Sequence, residues 1–362
     1  MSVVTSAEAF LVDVPVETVR TDAVQAFTKQ ETIFVQLTTD DGLTGLGYSY
    51  TIGKGGTSVL ALLRDHLLPQ LHGKDSRRIE ALWHSIYYST RATATGAITS
   101  LAVASIDTAL WDLRGKRNSE PLSVSAGGYG TKVPLYDTEG GWLHLSVDEL
   151  VRGARASRDS GLGGVKVKVG SAHIGDDVER LRAVREAIGP DLKLMVDANQ
   201  SLTLAEAKRR AAAFEPMDLY WFEEPMPADD VSAHRELVAS TSIPIAVGES
   251  MYSVSQFKEY MHRGAASVIQ VDVARIGGIT PWLKVAHLAE AYNVSVCPHF
   301  LMELHVSLAC AVPNGHFVEH IPQLRAITHT QMEIRDGMAM APETFGLGID
   351  WDLEAIDRMR VA

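Results

Sequence analysis

Three carboxylates, Asp197, Glu223 and Glu249, close three short β-like runs, LKLMVDAN, LYWFEEP and IPIAVGES. The intervals between them are equal, 26 residues each. One strand, one helix and two loops of a (β/α)8 barrel take about that many, in a fold of roughly 250 residues. Three successive strands would then each offer one carboxylate at the C-terminal rim, where such barrels place their chemistry. Converging carboxylates repel unless a cation neutralises them. An all-oxygen set favours a hard divalent ion, and Mg²⁺ keeps positions open for a substrate.

The rest of the chain fits a barrel with an addition. From about residue 131, strand candidates fall at 133–138, 164–169, 192–197, 219–224, 243–248, 267–273, 294–298 and 316–320. Helical runs such as 176–188, 203–214, 229–240, 253–263 and 280–292 lie between most of them, the pattern of βα units in an α/β protein with a parallel sheet. Residues 1–50 read instead as a β-meander with a hairpin turn at Asp41-Gly42. Residues 57–90 and 97–117 read as helices, the second with Ile98, Leu101, Ala102, Ser105, Ile106, Ala109 and Leu110 at helical spacing. Strands followed by helices without alternation predict an α+β unit over 1–130 ahead of a barrel over 131–325. The tail from 326 (QMEIRDGMAM, then FGLGIDW) breaks the βα rhythm and is expected to return to the first domain.

Charge and cysteines exclude several classes. The 362 residues carry a net charge of −12, from 33 basic and 45 acidic side chains. Such a surface argues against nucleic acid and anionic membranes, though a local site can still bind a small anion. Cys297 and Cys310 form no C-x-x-C pair, so neither a disulfide framework nor a thiolate metal site is expected, and a reducing cytosol fits. The first residues, MSVVTSAEAFLVDVPVETVR, lack a basic segment followed by an apolar run. No apolar stretch reaches ~18 residues. A soluble, cytoplasmic protein is expected, and a homo-oligomer, since symmetric assemblies are common.

Around the carboxylates the sequence places acid/base groups. In Val165-Lys166-Val167-Lys168-Val169 both lysines share one face of a strand and the valines the other. Taken alone this describes a solvated basic face. With the valines against helices, the lysines face the barrel axis, one as a base and the other as a clamp or electrostatic tuner. Asp272 and His299 end adjacent strands, and a carboxylate behind an imidazole fixes its tautomer and raises its basicity. A lone histidine among 13 is more often structural, and only its place in the strand series distinguishes His299. Glu319, in the eighth strand, would hydrogen-bond a substrate or pair with a rim lysine. Two bases, Lys168 and His299, would flank the carboxylates around the rim. A substrate α-carbon would have one on each face, with Mg²⁺ and a lysine stabilising the charge of an enediolate.

The segments VKVKVG, VDANQ, WFEEP, VGES, QVDVARIGGIT, CPHF and FVEH, in that order, resemble the enolase superfamily and within it the mandelate racemase subgroup. The resemblance covers nearly the whole chain. It implies an α+β capping domain over a modified (β/α)7β TIM barrel. It implies metal ligation by Asp197, Glu223 and Glu249, acid/base roles for Lys168 and for the His299–Asp272 dyad, and substrate contacts from Lys166, Asn199 and Glu319. The run PHFLMELHVSL with RIGGITPWLK before it looks like the acid-sugar dehydratases, notably those acting on galactarate and L-talarate. Substrate choice would come from capping-domain loops near 15–27 and 50–56. There Lys54 is either an exposed loop lysine or a contact for the far end of a polyhydroxy acid. The expected reaction is dehydration of a sugar acid to a 2-keto-3-deoxy acid. Racemisation or epimerisation of a 2-hydroxy acid and lactone cycloisomerisation are the enzymatic alternatives. A metal- or sugar-acid-binding protein is the non-enzymatic one.

Overall fold

The computed structural model describes residues 2–16, 18–93 and 96–362. Apolar β-formers build a three-stranded antiparallel sheet from β1 (Val4–Val14) and the later strands Gln30–Thr39 and Thr44–Thr51. A small hairpin, β2 (Arg20–Thr21) with β3 (Ala26–Phe27), sits between the first two of these, which makes the later strands β4 and β5. Helices α1 (Gly56–Leu62), α2 (Ile79–Ser89), α3 (Ala97–Asn118) and the short α4 (Leu122–Ser125) complete this domain. The expected helix over 57–90 is broken. After α1 the chain makes a π turn at Leu63–Leu67 and a 3-10 turn at Leu68–Gln70. Pro69 there has no backbone N–H to continue the helical ladder.

Eight strands then alternate with seven helices. They are β6 (Lys132–Asp137), α5 (Val147–Asp159), β7 (Gly164–Lys168), α6 (Ile174–Ile188), β8 (Lys193–Asp197), α7 (Leu204–Phe214), β9 (Leu219–Glu223), α8 (Val231–Val238), β10 (Ile245–Val247), α9 (Val254–Arg263), β11 (Val268–Ile269), α10 (Ile279–Ala291), β12 (Ser295–Val296), α11 (Met302–Ala311) and β13 (Val318–His320). All pairings among these strands are parallel. β13 pairs with β6, and a bridge from Val296 to Gly315 joins β12 to the chain entering β13, closing a (β/α)7β barrel. Short polar caps start several of the helices. Ser146 with Glu149 and Ser253 with Gln256 form reciprocal boxes that satisfy otherwise orphaned N–H groups.

Inside the barrel, Tyr136, Met195, Trp221, Ala246, Val268 and Cys297 form a buried apolar floor. Residues two positions further along β8 and β9 share that inward face one layer higher. There stand Asp197 and Glu223. The tail first adds a hairpin, β14 (Ile334–Arg335) and β15 (Met338–Met340), whose second strand pairs antiparallel with β6 of the barrel. It then crosses to the N-terminal domain. Trp351 packs edge-on against Phe34 and Tyr48, and α12 (Leu353–Met359) leads into backbone hydrogen bonds between Leu11 and residues Val361 and Ala362. Among the described residues no helix is long and apolar enough to cross a membrane.

Candidate active site

Asp197, Glu223 and Glu249 are buried, and one oxygen from each lies within 4.8 Å of the others. Asp197 and Glu223 are the last residues of β8 and β9. Glu249 is not: β10 ends at Val247, and Gly248, at φ 147°, turns the chain before Glu249. A Cβ at Gly248 would stand 2.8 Å from the Gln270 backbone, so glycine is required there for the close approach as well as for the turn.

Each carboxylate has partners. Glu223 accepts from Lys166 Nζ (3.0 and 3.2 Å), Trp221 Nε1 (3.0 Å) and Gln270 Nε2 (2.7 Å). Asp197 pairs with Lys168 Nζ and accepts the Asn199 N–H at 2.8 Å. Glu249 Oε1 binds Arg275 at 3.1 Å. Its Oε2 has no hydrogen-bond partner, and His299 Nε2 stands 3.5 Å away as a charge neighbour only. Burial and the Asp197 charge push the Glu223 carboxyl up to about 8. Burial acts the same way on Glu249, but His299 and Arg275 outweigh it and hold that carboxyl at about 2.

Lys166 and Lys168 both lie inside the barrel, 1% and 5% exposed, while Val165 and Val167 pack in the apolar core outside it. Lys166 is clamped between Glu223 and Glu319, the latter at 2.9 Å. Burial disfavours its charge, but Glu223 and Glu319 overcome this and keep it protonated. Lys168 lies over the Trp142 ring, 5.3 Å from its centroid, with its pKa also raised because Asp197 outweighs burial. The Trp142 indole in turn donates to Glu139, which pairs with Arg20 of the 20s hairpin.

Across the same rim His299 Nδ1 donates to Asp272 Oδ2 at 2.8 Å. Both residues lie beyond the ends of their strands, in loops. Burial opposes an imidazolium here, but Glu249 and Asp272 prevail and raise the His299 pKa. Asp272 is held well below the usual carboxylate range against the effect of burial, chiefly by His299.

Glu319 has both oxygens occupied, by Thr138 Oγ1 (2.7 Å) and Lys166 on one and by the Phe300 N–H (3.0 Å) on the other. Burial would raise its pKa, but Lys166 keeps it ionised. In this state it accepts and cannot donate to a substrate carboxylate. Asn199 adopts φ 44° and leaves its Oδ1 buried without a partner. Lys54 is exposed, and no hydrogen bond or ion pair joins it to these groups. The loop near 15–27 includes Glu17, which lies outside the described residues.

Arg275, Gln270, Tyr50 and Trp142 are among the participants that the sequence did not single out. Strand alternation offered a signal for Gln270, two residues before Asp272. Nothing local marks Tyr50 or Trp142, whose contacts with Asp272 and Lys168 span 222 and 26 residues of chain.

Carboxylates (Asp197, Glu223, Glu224, Glu249, Asp272, Glu319) outnumber the permanent cations (Lys166, Lys168, Arg275) in this volume. A divalent cation would offset that excess. The unpartnered Glu249 Oε2, the unpartnered Asn199 Oδ1 and the all-oxygen cluster fit Mg²⁺.

Family models match almost the entire chain. The model for the N-terminal domain of mandelate racemase / muconate lactonizing enzyme matches residues 5–125, and the enolase C-terminal domain-like model matches residues 149–356. The chain belongs to the mandelate racemase / muconate lactonizing enzyme family. An L-talarate/galactarate dehydratase of Salmonella typhimurium LT2 is 35% identical over 87% of this chain and 79% of its own length. A 3,6-anhydro-alpha-L-galactonate cycloisomerase of Streptomyces coelicolor is 36% identical over 96% of this chain and 97% of its own. The crystal structure of the Salmonella dehydratase with Mg and L-lyxarohydroxamate superposes with a TM-score of 0.95 at 32% identity, over 100% of this chain and 93% of that one.

Proposed function

We propose that this family member is a Mg²⁺-dependent acid-sugar dehydratase, with Asp197, Glu223 and Glu249 as the metal ligands. The observation that carries the reading is the pairing of two acid/base groups, Lys168 and the Asp272-backed His299, on opposite sides of one carboxylate cluster. Similarity to a dehydratase with a bound sugar-acid analogue supports the substrate class. When bound, Mg²⁺ supplies positive charge where the substrate carboxylate gains negative charge.

Lys168 takes the α-proton at Nζ. Asp197, which now keeps Lys168 protonated, is the carboxylate a cation would engage, and Lys166 alongside then favours the neutral amine. The electron pair left on the α-carbon forms the double bond to the β-carbon as the β-hydroxyl departs. His299 gives that hydroxyl its proton from Nε2 and releases water. Its raised pKa suits it to hold this proton at rest. The enol product tautomerises to a 2-keto-3-deoxy acid. Lys166 supports the growing negative charge, and Asn199 and Lys54 are substrate contacts. A cytoplasmic location and a homo-oligomer complete the proposal, the former fitting two buried, unpaired cysteines.

Cycloisomerisation is the second reading, favoured by the relative that matches 96% of this chain. The same proton abstraction would serve it, with a different leaving group. A library of mono- and diacid sugars, incubated with Mg²⁺-loaded protein in D₂O, separates the readings. Keto-acid formation from an open-chain sugar acid is the expected result. Lys168→Ala should lower it by about 10²- to 10⁴-fold. Keto acid from no member of the library would overturn dehydration. Turnover of anhydro-sugar acids or lactones alone would establish the second reading.

A further inference from the structure

We infer that Tyr50, a capping-domain residue, is a positioning residue for the acid/base dyad, an inference that rests on the dyad role assigned above. Tyr50 is the penultimate residue of β5, at the start of the loop over 50–56, and is 2% exposed. Its hydroxyl donates to Asp272 Oδ2 at 2.7 Å, the same oxygen that accepts His299 Nδ1 at 2.8 Å. Asp272 Oδ1 accepts the N–H groups of Ala274 (2.8 Å) and Arg275 (3.0 Å). The carboxylate therefore has four donors, two per oxygen, and only the Tyr50 bond comes from the other domain.

The ring contacts run the same way. Phe300 stacks on His299 with centroids 5.4 Å apart and planes 15° apart, and Tyr50 packs against Phe300 at 4.6 Å. Phe300 itself adopts φ 60°, a strained conformation that a non-glycine residue holds only where its surroundings enforce it. Its N–H bond to Glu319, its carbonyl bond to His305 Nδ1 and the Tyr50 ring supply that enforcement. Arg275, whose guanidinium carbon lies 5.9 Å from the Tyr50 ring centroid, carries the contact on to Glu249. Tyr50 thus fixes both the carboxylate behind His299 and the ring beside it, and joins the domain that closes over the site to the group that moves the proton.

Tyr50→Phe keeps the ring and removes the hydroxyl. Tyr48→Phe is the matched control. Tyr48 is two residues earlier on the same strand, equally buried, and its hydroxyl has no partner. The nitrogen-15 spectrum of histidine-labelled protein, with the His299 resonances assigned by their loss in His299→Asn, reads the dyad without substrate. In Tyr50→Phe the His299 Nδ1 resonance should shift or broaden, while Tyr48→Phe leaves it in place. With an acid sugar that the enzyme turns over, kcat should fall about tenfold with KM within twofold, as for loss of a group that orients another. α-Deuterium exchange through Lys168 should persist. Unchanged His299 resonances together with unchanged kcat would overturn the inference. So would equal losses of kcat, exchange and thermal stability in both variants, since that would mark a packing role. If no acid sugar is turned over, the nitrogen-15 comparison still decides the inference while the proposed reaction fails.

Discussion

His305, one turn into α11, has the residue type of a catalytic group and the surroundings of a structural one. Its Nε2 accepts the Val273 N–H at 3.1 Å, and its Nδ1 donates to the Phe300 carbonyl at 3.1 Å. Both ring nitrogens are thereby committed to holding loops on either side of the dyad. Burial pushes its pKa down to about 4. The native state stays neutral where the unfolded chain, near pH 6.5, takes up a proton. The stabilisation is therefore complete above about pH 6.5 and is lost as pH falls toward 4, a loss of about 3 kcal/mol. Urea unfolding at pH 7 and pH 4.5 should show that loss in the wild type and a smaller one in His305→Gln. The same acid sensitivity in both would sink the assignment. His299 and His305 are indistinguishable as letters in PHFLMELH. Two hydrogen bonds to backbone separate the second from a carboxylate-backed first, and those depend on where the chain places Val273 and Asp272.

At the scale of elements, the seam between the domains has its own cap. The N-terminus of α10 begins at Gly278, which has no side chain to cap it. Asp107, in the middle of α3, reaches across and accepts the Thr280 N–H at 2.9 Å and its hydroxyl at 2.7 Å. A Cβ on Gly278 would lie 2.4 Å from that carboxylate, so the glycine and the acid are mutually required. Asp107→Ala should cost about 2 kcal/mol by leaving a buried helix-terminal N–H unpaired. Chemical denaturation would measure it, and a loss within ±0.5 kcal/mol, typical of surface changes, would refute the capping role. Element order and type were legible because period-2 and period-3.6 patterns alternate cleanly after residue 131. Strand ends were less so. β10, β11 and β12 are only 3, 2 and 2 residues long, and Glu249, Asp272 and His299 sit on the loops beyond them. Parallel strands buried on both faces read as continuous apolar runs, so their pattern does not mark where pairing stops.

For the molecule as a whole, a carboxylate cluster only partly neutralised by Lys166, Lys168 and Arg275 ties stability to a cation. Buried like charges held together are costly, and an ion that binds only the folded state stabilises it by mass action. Mg²⁺ at a hundred times its dissociation constant should add about 2.7 kcal/mol. Thermal unfolding with Mg²⁺ and with a chelator reads this as a rise in midpoint. In Glu223→Gln the rise should shrink. A midpoint indifferent to Mg²⁺ in the wild type would rule out ligation by this cluster. The even spacing of Asp197, Glu223 and Glu249 and the alternation in VKVKV determined, from sequence alone, a barrel with acidic and basic side chains on its inner rim. Both are local periodicities, set by the repeat of a strand and of a βα unit. Tertiary structure alone decided that Tyr50 meets Asp272, that Arg20 reaches the Lys168 side through Glu139 and Trp142, and that Glu319 spends its oxygens on Lys166, Thr138 and Phe300. These contacts join residues far apart in the chain, and the docking of one domain on another leaves no period in the sequence to read.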